Sequence, residues 1–386
     1  MKSLREIVES LPQMRGSSIS GAMRSLPIED EPQALGEAPW DWQKVRRVLI
    51  VRLRSIGDTV LTTPSLFALK RFLPDAQIDI LLEDWVAPVL EGFPHVDNVI
   101  TIKRGSTTAR ARAARRIRAA RYDVVYNLHG GTTATLLTRA TGARHRVGYA
   151  HYQYGRLHNH LAPASALLWG TTKTHSVEQQ LALLGWTGVP VSDRPPTQLA
   201  VTEAAAATTA TKLRAAGLAE SASFAVVHPA AAFNTKRWAI ENFARVVEHL
   251  EDRGLATVAI TAANETELAG QLKSQSAAPV IGLTDLSLSE VSALAARARL
   301  FVGNDSGIAH IAAAVSAPAV VIFGSSNVTH WRPWATAPAE VVLEELECQP
   351  CHGYFCEKFA QPECILRVPV ERVTAAIDRV LSNASC

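Results

Sequence analysis

Apolar and polar positions follow one another along the chain in blocks that predict strands alternating with helices. Residues 47–53 (RVLIVRL) form a continuous apolar run typical of a buried parallel strand, and residues 59–72 have a helix pattern with Pro64 in its early turns. Further runs predict strands of the same sheet at residues 76–82, 99–102, 122–128 and 146–149. The first half therefore has the pattern of an α/β domain with a parallel sheet.

The second half repeats this pattern. Residues 193–196 (DRPP) are typical of an interdomain linker, and an Ala-rich helix is predicted at residues 203–216. The following apolar runs predict strands at residues 224–227, 257–261, 280–281, 300–302 and 319–323. We therefore predict an α/β protein with two doubly wound Rossmann-like domains that face each other across a cleft.

The length of 386 residues agrees with two domains. Residues 1–43 show no clear period and are predicted to form a loosely attached N-terminal arm. The remaining parts are predicted to be a first domain at 44–195, a second domain at 196–368 with a Cys-rich loop at 348–364, and a C-terminal helix at 369–386.

Composition and charge narrow the class of protein. The net charge of +3 favours no particular partner, and no apolar stretch reaches the ~18 residues of a membrane span. The first ten residues (MKSLREIVES) carry too many charges for a signal peptide. We therefore expect a cytoplasmic protein.

A polar loop between a predicted strand and a predicted helix is a candidate ligand site. The strand at 300–302 runs into residues 303–310 (GNDSGIAH), and a small-residue helix begins near Gly307. Free main-chain N–H groups and a positive helix terminus favour phosphate there, which indicates a nucleotide or nucleotide-sugar ligand. Simple helix capping by Asp305 or Ser306 is the alternative interpretation.

The first domain has a matching loop at residues 54–58 (RSIGD). Loops beyond the carboxyl ends of parallel strands line the ligand crevice of an open sheet, so the carboxylate of Asp58 is placed for chemistry. Asp is also a favoured capping residue, and a cap at the start of the next helix is the alternative.

Two further loops of the second half carry candidate residues. Lys236 follows the strand at 224–227, where an ammonium group can neutralise charge on a leaving group, although a solvated surface lysine gives the same pattern. Glu265 follows the strand at 257–261 and either accepts hydrogen bonds from a ribose or caps the next helix.

Taken in order, these segments resemble glycosyltransferase family 9, the ADP-heptose:lipopolysaccharide heptosyltransferases. The resemblance rests on residues 54–64 (RSIGDTVLTTP), 236–238 (KRW) and 303–310, and it spans roughly residues 46–380. It implies a GT-B architecture in which the first domain binds the acceptor and the second binds the nucleotide-sugar donor. It also implies that the C-terminal helix crosses back to the first domain.

The resemblance further implies an inverting transfer of a heptose, or a related sugar, from an ADP-sugar to a lipopolysaccharide inner-core acceptor. Asp58 would be the general base that deprotonates the acceptor hydroxyl, and Lys236 would stabilise the departing diphosphate. The implied donor-binding residues are Asn264, Glu265, Asn304, Asp305, Ser306, Gly307 and His310. The expected acceptor-binding residues are Arg54, Ser55 and Gly57. His129, which follows the strand at 122–128, is a further acceptor-binding candidate, and a merely solvated loop histidine is the alternative.

The chain contains no Asp-x-Asp motif, so we expect transfer without a metal or other cofactor, with the ADP-sugar as co-substrate. Residues 229–232 (PAAA) carry alanines where the family often has Gly, Ser or Thr, which leaves phosphate contacts there to backbone amides. A nucleotide-sugar 2-epimerase of the same architecture and a non-catalytic nucleotide-sugar binding protein remain alternatives. The first strand is not followed by Gly-x-Gly-x-x-Gly, which argues against an NAD enzyme.

Residues 103–121 form a basic run that contains no acidic residue. A phosphorylated lipopolysaccharide core or the acidic lipids of the inner membrane surface would be attracted to it, which predicts peripheral membrane contact. A solvated helix face is the alternative. Because no aromatic residues interleave with the charges, nucleic acid is not an expected partner.

Four cysteines cluster late in the chain, at positions 348, 351, 356 and 364, with His352 among them and Cys386 at the end. Such a cluster can bind zinc, but the spacing is not that of two paired Cys-x2-Cys knuckles. Free thiols are the default in a reducing cytoplasm, so both interpretations stay open.

Overall fold

The computed structural model describes residues 31–351 and 354–384. In this part of the chain, the first domain contains a sheet of six parallel strands in the order β3-β2-β1-β4-β5-β6. The strands are β1 (Arg47–Val51), β2 (Gln77–Glu83), β3 (Asn98–Ile102), β4 (Val124–Asn127), β5 (His145–Tyr149) and β6 (His160–Ala162). The central strand β1 is buried at four of its five positions, as its apolar run predicts.

The second domain repeats the same topology. Its six strands are all parallel and lie in the order β12-β11-β10-β7-β8-β9, which is the first order read from the other edge. They are β7 (Phe224–His228), β8 (Ala256–Ile260), β9 (Val280–Leu283), β10 (Leu300–Asn304), β11 (Ala319–Phe323) and β12 (Ala339–Leu343). Two doubly wound Rossmann-like domains are therefore present, and the predicted fold class is confirmed.

Helices connect the strands in both domains. Those of the first domain are α1 (Ile56–Val60), α2 (Thr63–Phe72), α3 (Thr107–Ala119), α4 (Thr132–Ala140), α5 (Ser165–Trp169) and α6 (Ser176–Gly185). Those that follow are α7 (Glu203–Ala215), α8 (Ile240–Asp252), α9 (Thr266–Gln275), α10 (Leu288–Arg297), α11 (Gly307–Ala314), α12 (Val328–Trp331), α13 (Glu363–Leu366) and α14 (Val370–Asn383). Among the described residues, no helix is long and apolar enough to cross a membrane.

The helix expected at residues 59–72 is two helices. Helix α1 begins earlier, at Ile56, and ends before Leu61, and α2 begins at Thr63 with Pro64 in its first turn. Proline has no N–H to donate to the preceding turn, but it fits the start of a helix, so Pro64 favours a new helix rather than a continued one. Asp58 therefore lies inside α1, at its third position, and not at the tip of an open loop.

Two edge strands, β6 and β12, were not among the predicted strands. Each has at most one fully buried position, so neither has the continuous apolar run that marks the inner strands. An edge strand has a neighbour on one side only and needs less apolar surface.

The position of the C-terminal helix α14 differs from the one that the resemblance implies. Val373, Ile377 and Val380 of α14 are buried in the same apolar cluster as Val320 and Ile322 of β11. Ion pairs add to this contact, including one between Arg379 and Glu340 on β12, with 2.8 Å between Nη2 and Oε2. Helix α14 thus covers the second sheet, because its apolar stripe fits that face, instead of crossing back to the first domain.

Most of the predicted N-terminal arm, residues 1–30, lies outside the described residues. Residues 33–43, which the prediction assigns to the same arm, contact the first domain. The main-chain N–H of Leu35 donates to the carbonyl of Gly185 at 3.0 Å, and Trp42 is buried with its indole N–H donating to the carbonyl of Thr187 at 2.9 Å.

The compact unit that begins at Gln33 includes both domains. Two histidines connect them. His175 of the first domain accepts a hydrogen bond at Nδ1 from the N–H of Val177, so its Nε2 carries the proton and donates to the carbonyl of Arg332 at 2.8 Å. His330 of the second domain donates from Nδ1 to the carbonyl of Thr174 at 3.0 Å. These bonds fix the two sheets relative to each other and so define the cleft between them.

Candidate active site

The loops after the central strands β1 and β10 meet directly between the two domains. A Cβ atom added to Gly57 would lie 2.7 Å from Cδ2 of His310, and one added to Gly307 would lie 2.7 Å from Cβ of Ile56. Helices α1 and α11 therefore touch at a distance that only glycine allows. In both sheets these loops leave the point where strand order reverses, which is where open α/β sheets bind ligands.

Asp58 is held by its own domain. The guanidinium of Arg52, at the end of β1, forms an ion pair with Oδ1 of Asp58 and also donates to the carbonyl of Leu128. Oδ2 accepts from the hydroxyl of Ser55 at 3.1 Å and, at 3.4 Å, from its main-chain N–H in a capping box. Ser55 is the N-cap residue of α1, and Asp58 is not the N-cap but completes the capping box from the third helical position; 20% of its side chain still faces solvent.

Asp305 lies in the loop after β10, which like β1 borders the point where strand order reverses, but it is almost fully enclosed. Nζ of Lys236 lies 2.7 Å from Oδ2 of Asp305, and the hydroxyl of Ser326 donates to the same oxygen. Only 6% of the Asp305 side chain is exposed. The carboxylate therefore fixes the ammonium group of Lys236 at the cleft, and Lys236 is not an ordinary solvated lysine.

Ser306 and Gly307 begin helix α11 at the wall of the cleft. The hydroxyl of Ser306 accepts a hydrogen bond from the N–H of Ala309 at 3.4 Å, so Ser306 is the N-cap residue. The remaining first-turn N–H groups and the positive end of the helix dipole face the same region as Lys236.

Two predicted donor-binding residues do not lie at the cleft wall. Asn304 is fully buried: its amide donates to the carbonyl of Pro229 at 2.7 Å and its Oδ1 accepts from the N–H of Trp238 at 3.2 Å. Both hydrogen-bonding groups of Asn304 are therefore used to join loops beneath the cleft. Asn264 is exposed beside Glu265, which does line the cleft and lies 3.5 Å from the guanidinium of Arg237.

The residues that border the cleft between the domains enclose about 700 Å³, a size typical of small-ligand sites (~300–1,000 Å³). We call this space the main cleft. The predicted site residues that line it are Ser55, Gly57, Asp58, Lys236, Glu265, Asp305, Ser306, Gly307 and His310. Ala230, Ala231 and Ala232 of the alanine loop also line it.

A second cavity of about 280 Å³ adjoins the first domain, and we call it the side cavity. His129 lines it together with the polar or aromatic residues Arg52, Tyr149, Tyr152, Gln180 and His330. Asp58 and Trp331 line both spaces. Asp58 thus stands where the main cleft and the side cavity join. Arg54, a predicted acceptor residue, is exposed next to this junction and lines neither space.

The histidines of the site are uncharged near neutral pH. Burial, with added repulsion from Arg52, lowers the pKa of His129 to about 4. Burial also lowers the pKa of His310, although the carboxylates of Asp305 and Asp58 partly offset this effect. Nδ1 of His310 is buried and has no hydrogen-bond partner among the described residues, although other atoms of His310 line the main cleft.

Sequence reasoning missed three residues of the site. Arg52 was read as part of an apolar strand, and the signal that could have revealed it is a charged residue in a buried run, two positions before the loop. Ser326 and His330 lie in and beside the loop after β11 and reach the site only through tertiary packing.

The late cysteines form a separate group. Cys348, Cys351, Cys356 and Cys364 are free thiols that together line a cavity, and His352 lies outside the described residues. Burial, reinforced by the three neighbouring thiols, raises the pKa of Cys364 to about 11. Within residues 31–351 and 354–384, no three His, Cys, Asp or Glu side chains are already arranged to hold a metal ion.

The basic run forms helix α3 and its flanks. Ala113 and Ile117 of α3 are buried against the first sheet, whereas its arginines are exposed. Among the described residues, no carboxylate lies within ion-pair distance of Arg110, Arg112, Arg115, Arg116, Arg118 or Arg121. The arginines of α3 do not neutralise their charge within the described chain.

Known proteins share this architecture and sequence pattern. The family model for glycosyltransferase family 9 (heptosyltransferase) matches residues 110–359. Lipopolysaccharide heptosyltransferase 3 of Escherichia coli strain K12 is 29% identical over 344 residues, which cover 85% of this chain and 96% of that protein.

Two solved structures show the same fold. The family 9 glycosyltransferase of Veillonella parvula superposes with a TM-score of 0.74 at 22% identity, covering 87% of this chain and 97% of that one. The E. coli ADP-heptose LPS heptosyltransferase II superposes with a TM-score of 0.71 at 23% identity, covering 88% and 100%. The two facing Rossmann-like domains are thus the GT-B architecture. Because the family model spans well over half of the chain, the protein belongs to glycosyltransferase family 9 and is a glycosyltransferase.

Proposed function

We propose that this protein transfers a heptose, or a closely related sugar, from an ADP-sugar to a lipopolysaccharide inner-core acceptor, with inversion at the anomeric carbon. The observation that carries this proposal is the position of Asp58 at the junction of the main cleft and the side cavity. A single base between two spaces suits a direct displacement, because the acceptor hydroxyl can approach the anomeric carbon from one space while the donor occupies the other.

The donor is proposed to bind in the main cleft. Its diphosphate would meet the first-turn N–H groups of α11 and the ammonium group of Lys236, and the carboxylate of Asp305 would hold that ammonium in place. Asn304 would support this arrangement from below by joining the loops, instead of contacting the donor. Glu265, which also borders the cleft, is our candidate for the ribose hydroxyls.

The acceptor is proposed to enter through the side cavity. Tyr149 and Tyr152 offer aromatic surface there, and His129 and Arg52 offer hydrogen-bond donors. A space of about 280 Å³ suits one terminal sugar ring, with the rest of a longer acceptor extending outside.

In the reaction, Oδ2 of Asp58 takes the proton of the acceptor hydroxyl. The oxygen forms a bond to the anomeric carbon, and the bond from that carbon to the diphosphate breaks with its electron pair, which leaves ADP. Arg52 positions the carboxylate of Asp58 through the other oxygen, and Lys236 stabilises the charge that develops on the leaving diphosphate. Since Lys236 and the helix terminus meet that charge, we expect withholding Mg²⁺ to leave kcat unchanged.

The test measures ADP release from ADP-heptose with and without a lipopolysaccharide inner-core acceptor. We expect release that requires the acceptor, and we expect kcat to fall by ~10²–10⁴-fold in Asp58→Asn, since that is the usual contribution of a general base. Asp75→Asn changes an exposed carboxylate in the same domain and is the matched control. Circular dichroism and thermal melting establish that both variants are folded.

Each other result has a distinct meaning. Full activity in a folded Asp58→Asn protein would remove Asp58 as the base. Interconversion of the sugar without ADP release would replace transfer by epimerisation, and tight donor binding without either reaction would leave a binding protein. Acceptor-dependent release from a different nucleotide-sugar would keep the mechanism and change the donor.

We also propose that the enzyme works at the cytoplasmic face of the inner membrane and contacts that surface through helix α3. The exposed arginines of α3 without carboxylate partners support this proposal, because anionic head groups attract clustered basic side chains by ~1 kcal/mol per charge.

Sedimentation with vesicles tests this contact. We expect binding to vesicles that contain phosphatidylglycerol, little binding to pure phosphatidylcholine, and loss of binding in Arg112→Glu/Arg115→Glu. Arg214→Glu, on the exposed surface of α7, is the control for a general charge effect. Equal binding of the natural protein and the α3 variant would show that α3 is not the contact surface.

A further inference from the structure

An aromatic side chain of the first domain is exposed on the wall of the main cleft. Trp85 lies in the loop after β2, lines the cleft and keeps 40% of its surface exposed. Tryptophan is highly buried on average, because its large ring loses much apolar surface to water when it is left open. The contacts proposed above for the donor and the acceptor do not use this side chain.

Two contacts hold the ring of Trp85 in place. Its indole N–H donates to Oε2 of Glu83 at 2.8 Å, and the guanidinium carbon of Arg104 lies 6.0 Å from the ring centroid, over one face. A ligand in the cleft would therefore pack on the opposite face. Because the orientation of the ring is already set, such a ligand would lose little free energy to ordering this side chain.

The second domain places apolar side chains at the same end of the main cleft. They belong to the loop after β9 and to helix α10, and they are Leu286, Leu288 and Val291. The two domains touch directly beside them, where Oγ of Ser289 lies 3.2 Å from the carbonyl oxygen of Pro88. Pro88 is three residues after Trp85, and Ser289 directly follows Leu288. This contact brings Trp85 and the apolar group to the same end of the cleft, from opposite domains.

The strand order of the second sheet indicates which part of the donor reaches this end. Helix α11 follows β10, Lys236 follows β7, Glu265 follows β8 and Leu286 follows β9, and these four strands are consecutive neighbours in the sheet. Adjacent strands lie ~4.8 Å apart, so the loops follow one another at steps of about that size. Diphosphate, ribose and base follow one another in the same order in a nucleotide. A donor with its diphosphate at α11 and its ribose at Glu265 therefore has its base at the loop after β9.

We propose that Trp85 stacks on the nucleobase of the donor, with the apolar side chains of the loop after β9 and of α10 on the opposite face of the base. This inference rests on the proposed nucleotide-sugar donor. Every nucleobase has a planar π face on which an aromatic ring can stack. The donor would then be held by both domains, because its phosphates meet the second domain and its base meets Trp85 of the first. Trp85 would bind the substrate without taking part in the chemical step.

Isothermal titration calorimetry of the full chain tests this contact with ADP and with ribose 5-diphosphate, which lacks the base. In Trp85→Ala we expect the Kd of ADP to rise roughly 5- to 150-fold, the usual effect of losing one base–aromatic stack, and the Kd of ribose 5-diphosphate to stay the same. Trp85→Phe keeps an aromatic face and should bind ADP more tightly than Trp85→Ala. Tyr154→Ala removes another exposed aromatic side chain of the first domain, which lines neither the main cleft nor the side cavity, and is the matched control.

Several results would overturn the stacking contact while leaving the proposed donor intact. The first is an equal Kd of ADP for the natural protein and a folded Trp85→Ala protein. The second is an equal loss of affinity for ADP and ribose 5-diphosphate, because the change would then act on the whole cleft and not on the base. The third is an unchanged Kd of ADP with a raised KM of the acceptor, which would assign Trp85 to the acceptor.

Failure of the proposed donor gives a different result. If the natural protein binds none of ADP, GDP and UDP, the nucleotide-sugar donor is excluded and the stacking contact with it. If GDP or UDP binds more tightly than ADP, the same comparison of Trp85→Ala with Trp85→Phe is made with that nucleotide, since stacking does not depend on the identity of the base.

Discussion

The loops that carry Asp58 and Asp305 follow central strands that border the point where strand order reverses in each sheet, yet they hold their carboxylates differently. Asp58 pairs with Arg52, the residue directly after β1, and keeps 20% of its side chain open at the junction of two cavities. Asp305 is only 6% exposed and is enclosed by Lys236 and Ser326, which come from two other loops.

This difference separates two uses of a carboxylate at the reversal point of a parallel sheet. An open carboxylate can exchange a proton with a substrate, whereas an enclosed one can only fix its partners. The role of the residue therefore follows from its exposure and its neighbours, and the position in the Rossmann-like unit only brings it to the cleft.

After Asp58→Asn, the largest expected effect comes from removing the partner of Asp305. In Lys236→Ala we expect kcat/KM to fall by ~10²–10³-fold, as when one group that stabilises developing charge is lost. Lys273→Ala, on the exposed surface of α9, is the control. Combination with Asp305→Asn in a double-mutant cycle should show strong non-additivity, because both residues act through one ion pair. Additive losses would mean that Asp305 contacts the substrate by itself.

The contact between the two loops gives the next effect. In Gly307→Ala the new methyl group would meet Cβ of Ile56 at 2.7 Å and force α1 and α11 apart. We expect kcat/KM to fall by roughly 10²-fold, since a displacement of about 1 Å has such a cost. Gly270→Ala adds a methyl group with no atom within 4 Å and should keep full activity. An active, folded Gly307→Ala enzyme would show that the close approach of the loops is not needed.

Loss of Asp305 should reduce the free energy of unfolding more than loss of Asp58, whereas loss of Asp58 as the base should reduce activity. We expect Asp305→Asn to lower the free energy of unfolding by about 2 kcal/mol, because a largely buried ammonium and hydroxyl lose their charged acceptor. Asp58→Asn also removes the charged acceptor of Arg52, but its side chain is more exposed and its amide can still cap α1, so we expect a smaller loss of about 1 kcal/mol. Guanidinium unfolding of both variants measures the difference. A larger loss in Asp58→Asn would reverse the assignment of the enclosed and the open carboxylate.

A pH-dependent effect concerns the hydrogen bond from His175 that joins the two domains. Burial lowers the pKa of His175 to about 3, whereas the unfolded chain has a value near 6.5. Between these values the unfolded state binds a proton that the folded state does not. Stability is therefore fully present above about pH 6.5 and falls as the pH decreases below it, by at most ~1.4 kcal/mol per pH unit.

Unfolding curves at a series of pH values check this dependence. His175→Asn should be less stable at neutral pH, because it loses the bond to the carbonyl of Arg332, but its stability should depend less on pH below 6.5. The exposed His151→Asn serves as the control. An unchanged pH dependence in His175→Asn would mean that other buried histidines, such as His129, are responsible.

Much of the site could be read from the sequence because its signals are local. In the first half, the loop with Asp58 directly follows the strand at 47–53. In the second half, the loop with Asp305 and Gly307 directly follows the strand at 300–302. Apolar runs and helix-start residues are properties of neighbouring positions, so a single sequence reveals them. That these loops line the cleft followed from the parallel sheet alone, because loops beyond the carboxyl ends of parallel strands line the ligand crevice.

What the sequence did not reveal depends on partners far apart in the chain. The inward turn of Asn304 requires the carbonyl of Pro229 and the N–H of Trp238, and the enclosure of Asp305 requires Ser326. The packing of α14 on β11 and β12 requires an apolar stripe to find one of two similar sheets. Nothing in the local pattern distinguishes these partners.

The sequence by itself determined that the chain has two α/β domains with parallel sheets. It also determined which loops carry the site and which residue types there can perform sugar transfer. Only the tertiary structure decided which carboxylate stays open, which asparagine turns inward and which sheet the last helix covers. The physical reason is that secondary structure follows from short-range patterns, whereas exposure and charge pairing are set by the packing of distant segments.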